Sequence, residues 1–424
     1  MTDHYPLRDG VVHCEDVPLP LIAQEVGTPV FVYSTAAMRD RARELSGALA
    51  RLGGPLIAYA VKANPNAAVI STLAAEGLGA DVVSGGEYRR ARAAGVAPEK
   101  IVFSGVGKTA AEMALALQGG LCQFNLESVP EAEMLSEVAQ SLGLEAPVAF
   151  RVNPDVEAGS HAKISTGAAH NKFGIPIGEA PSACARVREL PGLKLRGLAV
   201  HIGSQLTSLA PLERAFERVG AMIARLRGEG HEIATADLGG GLGLHYDPAA
   251  AVPPTPAAYG EMVARVTRDW NVRLIFEPGR LIVGDAGVLL TEVIRVKPGS
   301  TCPFVILDAA MNDLMRPSLY DAWHGIQAVG PRGEQIVADV VGPVCETGDT
   351  FAVARRMDRV GPGDLVIIRT AGAYAATMGS TYNSRPLTPE VLVNGSEWAV
   401  VRERQDVEAF LRDESIPNWL ARAS

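Results

Sequence analysis

From residue 56 onward, one arrangement of apolar and polar positions recurs along the chain. A short run rich in Val, Ile, Phe or Ala is followed by a polar or glycine-bearing tip. A segment whose apolar residues return every three or four positions then follows. The run reads as a buried parallel strand and the later segment as an amphipathic helix, so each repeat predicts one βα unit. The predicted strands are 56–61, 80–83, 100–103, 122–126, 147–152, 195–200, 235–238 and 273–276. Helical spacing is clearest at 87–94, 110–117, 130–142, 212–226 and 257–270. Eight such units in succession predict an α/β TIM (β/α)8 barrel.

After Arg280 the pattern changes to strand-like runs at 288–296, 303–308, 334–341, 365–370 and 397–402, punctuated by Pro298-Gly299, Gly342-Pro343 and Gly361-Pro362-Gly363. This predicts a second, mainly antiparallel β domain. Residues 1–27 fit neither barrel strand nor barrel helix, and Gly27-Thr28-Pro29 reads as a hinge. The expected division is a barrel over 28–285 and a β domain from 1–27 plus 286–424. A chain of 424 residues is longer than one core usually supports, which agrees with two domains.

Composition acts mainly by exclusion. Apolar residues make up 47% and charged residues 21%, a globular balance. The net charge of -9, with no Lys/Arg stripe, excludes a nucleic-acid backbone as partner. No apolar N-terminal run resembles a signal peptide, and even 281–294 is broken by Asp285 and Glu292, so no membrane association is expected. Five scattered cysteines without a C-x-x-C pair suggest neither a metal site nor a disulfide framework, and fit a cytoplasmic location.

The strand tips carry the chemistry. They read Lys62-Ala63-Asn64, Ser84-Gly85-Gly86, Ser104-Gly105, Glu127-Ser128, Asn153-Pro154, His201-Ile202-Gly203-Ser204, Gly239-Gly240-Gly241 and Glu277-Pro278-Gly279-Arg280. A TIM barrel gathers the C-terminal ends of its strands at one mouth, where its chemistry takes place. Lys62 reads either as a solvated rim lysine or as an amine able to form a Schiff base with an aldehyde cofactor. Gly239 to Gly241 form a tight turn or a phosphate cradle, the latter favoured after strand seven of this fold. Glu277 is either the local ion-pair partner of Arg280 or a carboxylate aimed at a pyridine nitrogen. His201 is a capping residue or a flat ring stacked on a planar cofactor. Cys345, beside Glu346 in a turn, is an inert thiol or a proton donor to a carbanion.

Taken together, Tyr-Ala-Val-Lys-Ala-Asn at 59–64, Phe-Ser-Gly at 103–105, Lys-Ile-Ser-Thr-Gly at 163–167, Asn-Lys-Phe-Gly at 171–174, His-Ile-Gly-Ser-Gln at 201–205 and Gly-Gly-Gly-Leu-Gly at 239–243 form an ordered set. It continues with Glu-Pro-Gly-Arg at 277–280, Met-Asn-Asp-Leu-Met-Arg-Pro-Ser-Leu-Tyr at 311–320, Cys-Glu-Thr-Gly-Asp at 345–349, Ala-Gly-Ala-Tyr at 371–374 and Tyr-Asn-Ser-Arg-Pro at 382–386. This set resembles the group IV pyridoxal-phosphate-dependent decarboxylases with an alanine-racemase-like barrel, and within them the branch that acts on diaminopimelate.

The resemblance implies a cofactor, pyridoxal 5'-phosphate, held covalently by Lys62, with His201 stacked on its ring. Ser204, Gly239, Gly240, Gly241 and the backbone of Pro278, Gly279 and Arg280 would hold its phosphate side. Glu277 would pair with the ring nitrogen, and Tyr374 would close the site. Arg280, Arg316 and Tyr320 would grip the distal carboxylate of a small amino-acid substrate, and Glu346 its distal ammonium. Cys345 would protonate Cα after carbon dioxide leaves. It further implies a homodimer in which Cys345 and Glu346 serve the partner's site. The activity implied is conversion of meso-2,6-diaminopimelate to L-lysine, the last step of lysine biosynthesis.

Ala162 and Asn171 stand where the family often has proline and serine. Two alternatives remain beside this expectation: an ornithine, lysine or arginine decarboxylase of the same family, and a non-catalytic homologue. Arg316 disfavours the first, since its substrates would leave a buried cation without a carboxylate. Retention of both Lys62 and Cys345 disfavours the second.

Overall fold

Leu56–Ala60, with every residue buried, opens a closed ring of parallel strands. We label these β1 (Leu56–Ala60), β2 (Gly79–Val82), β3 (Ile101–Phe103), β4 (Gln123–Leu126), β5 (Ala146–Asn153), β6 (Leu193–Ala199), β7 (Thr235–Asp237) and β8 (Arg273–Phe276). Each pairs in parallel with the next, and β8 returns to β1, which closes the barrel. All eight predicted strands are present, and the TIM barrel is the observed fold of this unit. The structure is a computed structural model that describes residues 3–157 and 172–420. The motif at 163–167, Ala162 and Asn171 lie outside the described residues.

The helices begin where short polar side chains satisfy backbone N–H groups that have no partner within the helix. Ser84 caps Gly85–Ala93, and Ser128 caps Val129–Leu142. Thr109 and Glu112 form a reciprocal capping box on Ala110–Gln118. Each cap contributes about 1 kcal/mol and fixes where a strand tip ends and its helix starts. A helix at Ala67–Ala75 lies beyond the predicted set; its run of Ala, Val, Ile and Leu shows little polar face.

The chain divides into two compact units: Ala37–Asp285, which contains the barrel, and the segments up to Ala36 and from Ala286 onward. In the second unit a sheet runs in the order Thr350–Asp358, Gln335–Val341, Phe304–Leu307, Gly287–Lys297, Val30–Ser34, Glu390–Asn394, Glu397–Arg402. Most pairings are antiparallel; Phe304–Leu307 with Gln335–Val341 and Val30–Ser34 with Glu390–Asn394 are parallel. Val30–Ser34, within the stretch the sequence reading gives to the barrel, is thus an interior strand of this sheet. Val30, Val32, Val288, Leu290, Ile367, Val391 and Val393 form its core, with Tyr5, Val12, Leu19 and Ile22 from the N-terminal segment packed against them. Each such side chain is worth about 1.5–3 kcal/mol when buried, which holds the first residues of the chain on this sheet.

Candidate active site

Side chains alternate along a strand, so one face of each barrel strand points inward. At the lower level the interior is apolar, with Leu56, Ala58, Val102 and Ile275 in contact. Toward the C-terminal ends it becomes polar. Gln123 and Asn125 from β4 meet Thr235 and Asp237 from β7: Thr235 Oγ1 donates to Gln123 Oε1 at 2.7 Å, Gln123 Nε2 to Asn125 Oδ1 at 2.8 Å, and Asn125 Nδ2 to Asp237 Oδ2 at 2.8 Å. All of these residues are buried.

Lys62 sits above this layer in a turn, Val61–Ala63, that follows β1. Its Nζ donates to Asp81 Oδ2 on β2 at 2.5 Å. Asp81 is fully buried, and its Oδ1 has no hydrogen-bond partner among the described residues. Glu277, just past β8, accepts from Ser104 Oγ at 3.0 Å and from Asn125 Nδ2 at 3.3 Å. Burial first, then the carboxylates of Asp237 and Asp81, push its carboxyl well above the usual range despite Lys62 nearby. His201 is held well below the usual histidine range by burial, with Arg151 and Lys62 adding to the effect. Its ring is therefore neutral. Gly240 N–H donates to Nδ1 at 3.2 Å, which places the ring proton on Nε2.

The glycine run after β7 lies against the same mouth. Gly239 has φ +65°, and a Cβ there would stand 2.6 Å from Val200 O. One on Gly240 would stand 2.3 Å from Glu277 O, so only glycine lets these loops close on each other. Arg280 is buried and donates through Nη1 to Tyr246 Oη at 2.9 Å and through Nε and Nη2 to Ser204 Oγ at 3.4 and 3.3 Å. An amine, an enclosed acid and a backbone cradle thus share one barrel mouth. They match an aldehyde, a ring nitrogen and a phosphate, the three handles of pyridoxal 5'-phosphate, so the residues present fit that group.

The second unit carries the remaining candidates. Arg316 opens the short helix Arg316–Tyr320 and is 5% exposed. Its Nη1 lies 2.8 Å from His324 Nε2, and His324 Nδ1 lies 2.8 Å from Arg369 O. A guanidinium only donates, so His324 accepts at Nε2 and carries its proton on Nδ1. Cys345 and Glu346 are exposed in a loop whose shape is set by Asp349. Asp349 accepts from Val344 N at 2.7 Å and from Met311 N at 2.6 Å, which ties this loop to the segment leading into Arg316. Ser318 Oγ adds a bond to Gly348 O. Asn383 Oδ1 accepts from Cys345 N at 3.3 Å, and Tyr382 is hydrogen-bonded to Glu346. Tyr374 follows Leu365–Ile368 with φ +54°, partly buried.

Several residues of the barrel mouth were not singled out from sequence: Asp81, Asn125, Arg151, Asp237 and Tyr246. The signal was available for some. Gln123/Asn125 and Thr235/Asp237 are polar pairs two residues apart inside otherwise apolar strands, the spacing of one inward face. Arg151 donates to Glu127 Oε1 at 3.0 Å and to His201 O at 3.5 Å, and Glu127 accepts from Gly174 N at 2.6 Å. This clamp joins three strand tips and has no local sequence signature.

Residues 36–284 match the family described as pyridoxal-dependent decarboxylase, pyridoxal binding domain. The chain is similar to the diaminopimelate decarboxylase of Zymomonas mobilis, with 56% identity over 98% of this chain and 99% of that one. The Pseudomonas aeruginosa protein of the same name is 47% identical, again over 98% and 99%. Among solved structures, diaminopimelate decarboxylase from M. jannaschii in complex with L-lysine superposes with a TM-score of 0.94 at 34% identity, covering 99% of both chains. That of Helicobacter pylori with L-lysine gives 0.89 at 37% identity, covering 93% of this chain and 98% of that one.

Proposed function

The chain belongs to the family of pyridoxal-dependent decarboxylases, and on that premise we propose that it converts meso-2,6-diaminopimelate to L-lysine and carbon dioxide. Its cofactor is pyridoxal 5'-phosphate. The observation that carries the reading is the convergence of Lys62, Glu277 and the Gly239–Gly241 cradle on one mouth, in a chain similar from end to end to enzymes of that activity.

When bound, the cofactor supplies the electron sink for the pair left at Cα as the carboxylate departs. The chain's own residues do the rest. Lys62 would hold the cofactor through its amine. Glu277 would pair with the ring nitrogen, and the neutral His201 would stack on the ring. Ser204, Gly239 to Gly241 and the backbone of Pro278, Gly279 and Arg280 would hold the phosphate, and Tyr374 would close the cofactor site. Arg280, Arg316 and Tyr320 bind the distal carboxylate while Glu346 binds the distal ammonium. Cys345 delivers a proton to Cα.

In this reading the protein is a cytoplasmic homodimer, and Cys345 and Glu346 of the partner subunit complete each site. No helix among the described residues is long and apolar enough to cross a membrane. Substrates such as ornithine lack a second carboxylate and would leave a buried guanidinium without its counter-charge, a cost of about 1–3 kcal/mol or more. The test is carbon dioxide release by the loaded protein from meso-diaminopimelate, ornithine, lysine and arginine, with Lys62→Ala as blank. Release from diaminopimelate alone is expected. Release from ornithine or arginine instead would overturn the assignment of Arg280 and Arg316.

A further inference from the structure

Asp237 and Glu277 end neighbouring strands, and their carboxyl groups are hydrogen-bonded to each other. Asn125 reaches both from the opposite wall of the barrel, with Nδ2 2.8 Å from Asp237 Oδ2 and 3.3 Å from Glu277 Oε1. The Thr235–Gln123–Asn125 relay fixes the sense of that contact. A hydroxyl donating to Gln123 Oε1 leaves Gln123 Nε2 to donate to Asn125 Oδ1, so Asn125 presents its NH2 to the two acids.

Two carboxyls in contact cannot both be ionised without large repulsion; such a pair holds one proton. The geometry says where it sits. Asp237, 1% exposed, accepts from two obligate donors, Gly239 N at 2.9 Å and Asn125 Nδ2 at 2.8 Å, whereas Glu277 has the longer Asn125 contact at 3.3 Å and the Ser104 hydroxyl at 3.0 Å, which can accept as well as donate. Glu277 stands nearer the mouth and faces Asp81 and Lys62 besides Asp237. Tyr259 and Cys122 also feel Asp237, and burial keeps both neutral by raising their pKa values. The upward shifts of Glu277 and Asp237 agree with a proton retained on the pair.

We propose that Asp237, steadied by Asn125, is a positioning residue that keeps a proton on Glu277, so that the ring nitrogen of the cofactor receives its proton from inside the site rather than from solvent. As the nitrogen lone pair forms the N–H bond, the Glu277 O–H bond breaks. Glu277 remains as a carboxylate that accepts from that N–H, Asp237 stays ionised, and the net charge of the pair and ring is unchanged. This inference rests on the reading of Glu277 as the ring-nitrogen partner.

The test is an infrared difference spectrum recorded as pyridoxal 5'-phosphate is added to cofactor-free protein at about pH 8. A protonated-carboxyl C=O stretch should be present before loading and lost on loading. In Glu277→Gln it should be absent throughout. In Asp237→Asn it should titrate away at a lower pH than in the wild type, because burial and Asp81 still favour the protonated Glu277 but the second carboxylate no longer does. That variant should retain KM within about twofold and lose kcat by about tenfold or more, since the ring then draws its proton from solvent. A wild-type band that is missing, or that survives loading, overturns the proposal without any variant needing to fold. An unchanged titration of the band in Asp237→Asn overturns the role of Asp237 alone. If Glu277→Gln instead leaves both the cofactor spectrum and turnover unchanged, the underlying reading of Glu277 fails.

Discussion

Arg316 Nη1 donates to His324 Nε2 at 2.8 Å, so the guanidinium is aimed by a neutral imidazole that is itself anchored on Arg369 O. An arginine oriented in this way presents its remaining N–H groups in a fixed direction, as bidentate carboxylate binding requires. Arg316→Met is expected to lower kcat/KM for diaminopimelate by about 100-fold, mostly through KM, equivalent to about 3 kcal/mol. His324→Phe keeps the charge but removes the aim and should cost about tenfold. Steady-state kinetics on both variants check this; an unchanged KM in Arg316→Met would remove Arg316 from substrate binding.

Gly240 is the tightest point of the glycine run. A methyl group there meets Glu277 O at 2.3 Å, a backbone atom that cannot rotate away. Gly240→Ala should therefore displace the loop after β8 and weaken cofactor binding by at least about tenfold, with secondary structure intact. Equilibrium titration with pyridoxal 5'-phosphate and circular dichroism together decide it.

Stability should respond to pH through two groups of opposite sign. Glu277 has a raised pKa, so the folded chain keeps a proton that the unfolded chain releases above about pH 4.3. Its contribution is full below that pH and is lost as pH rises toward the folded value. His201 has a lowered pKa; its contribution is present above about pH 6.5 and is lost as pH falls, by up to about 1.4 kcal/mol per pH unit. Without cofactor, Glu277→Gln should thus raise the melting temperature at pH 8 by about 2–4 °C while abolishing most activity. His201→Gln should flatten the decline below pH 6.5. Melting curves from pH 5 to 9 test both signs.

The proposed sharing of sites between subunits makes a further expectation concrete. Lys62→Ala and Cys345→Ala proteins, each inactive, should regain about a quarter of wild-type activity when mixed and allowed to exchange subunits, because half the dimers then hold one complete site. No recovery, with exchange shown independently by mass, would mean that Cys345 serves its own chain.

Much of the barrel was legible because its strands are buried on both faces and read as unbroken apolar runs closed by polar tips. The helix Ala67–Ala75 was missed for the converse reason: with little polar face, its period is hidden. In the second unit, Thr350–Asp358 escaped notice because register shifts and Ala354, at φ +45°, break its alternation. Lys62, His201, the glycine run and Glu277 were marked because they stand at strand ends. Asp81 and Asn125 lie inside strands, where a polar residue among apolar neighbours is easily counted as part of the run. Their meaning depends on what faces them across the barrel, and no linear pattern carries that.

Asp349 deserves a last consequence. By accepting from both Val344 N and Met311 N, it makes the Cys345 loop and the approach to Arg316 a single mechanical part, braced again by Ser318. Anyone grafting substrate preference from a relative onto this scaffold would have to transplant 311–320 and 342–349 together. Exchanged singly, either segment would arrive without the contacts that give it shape.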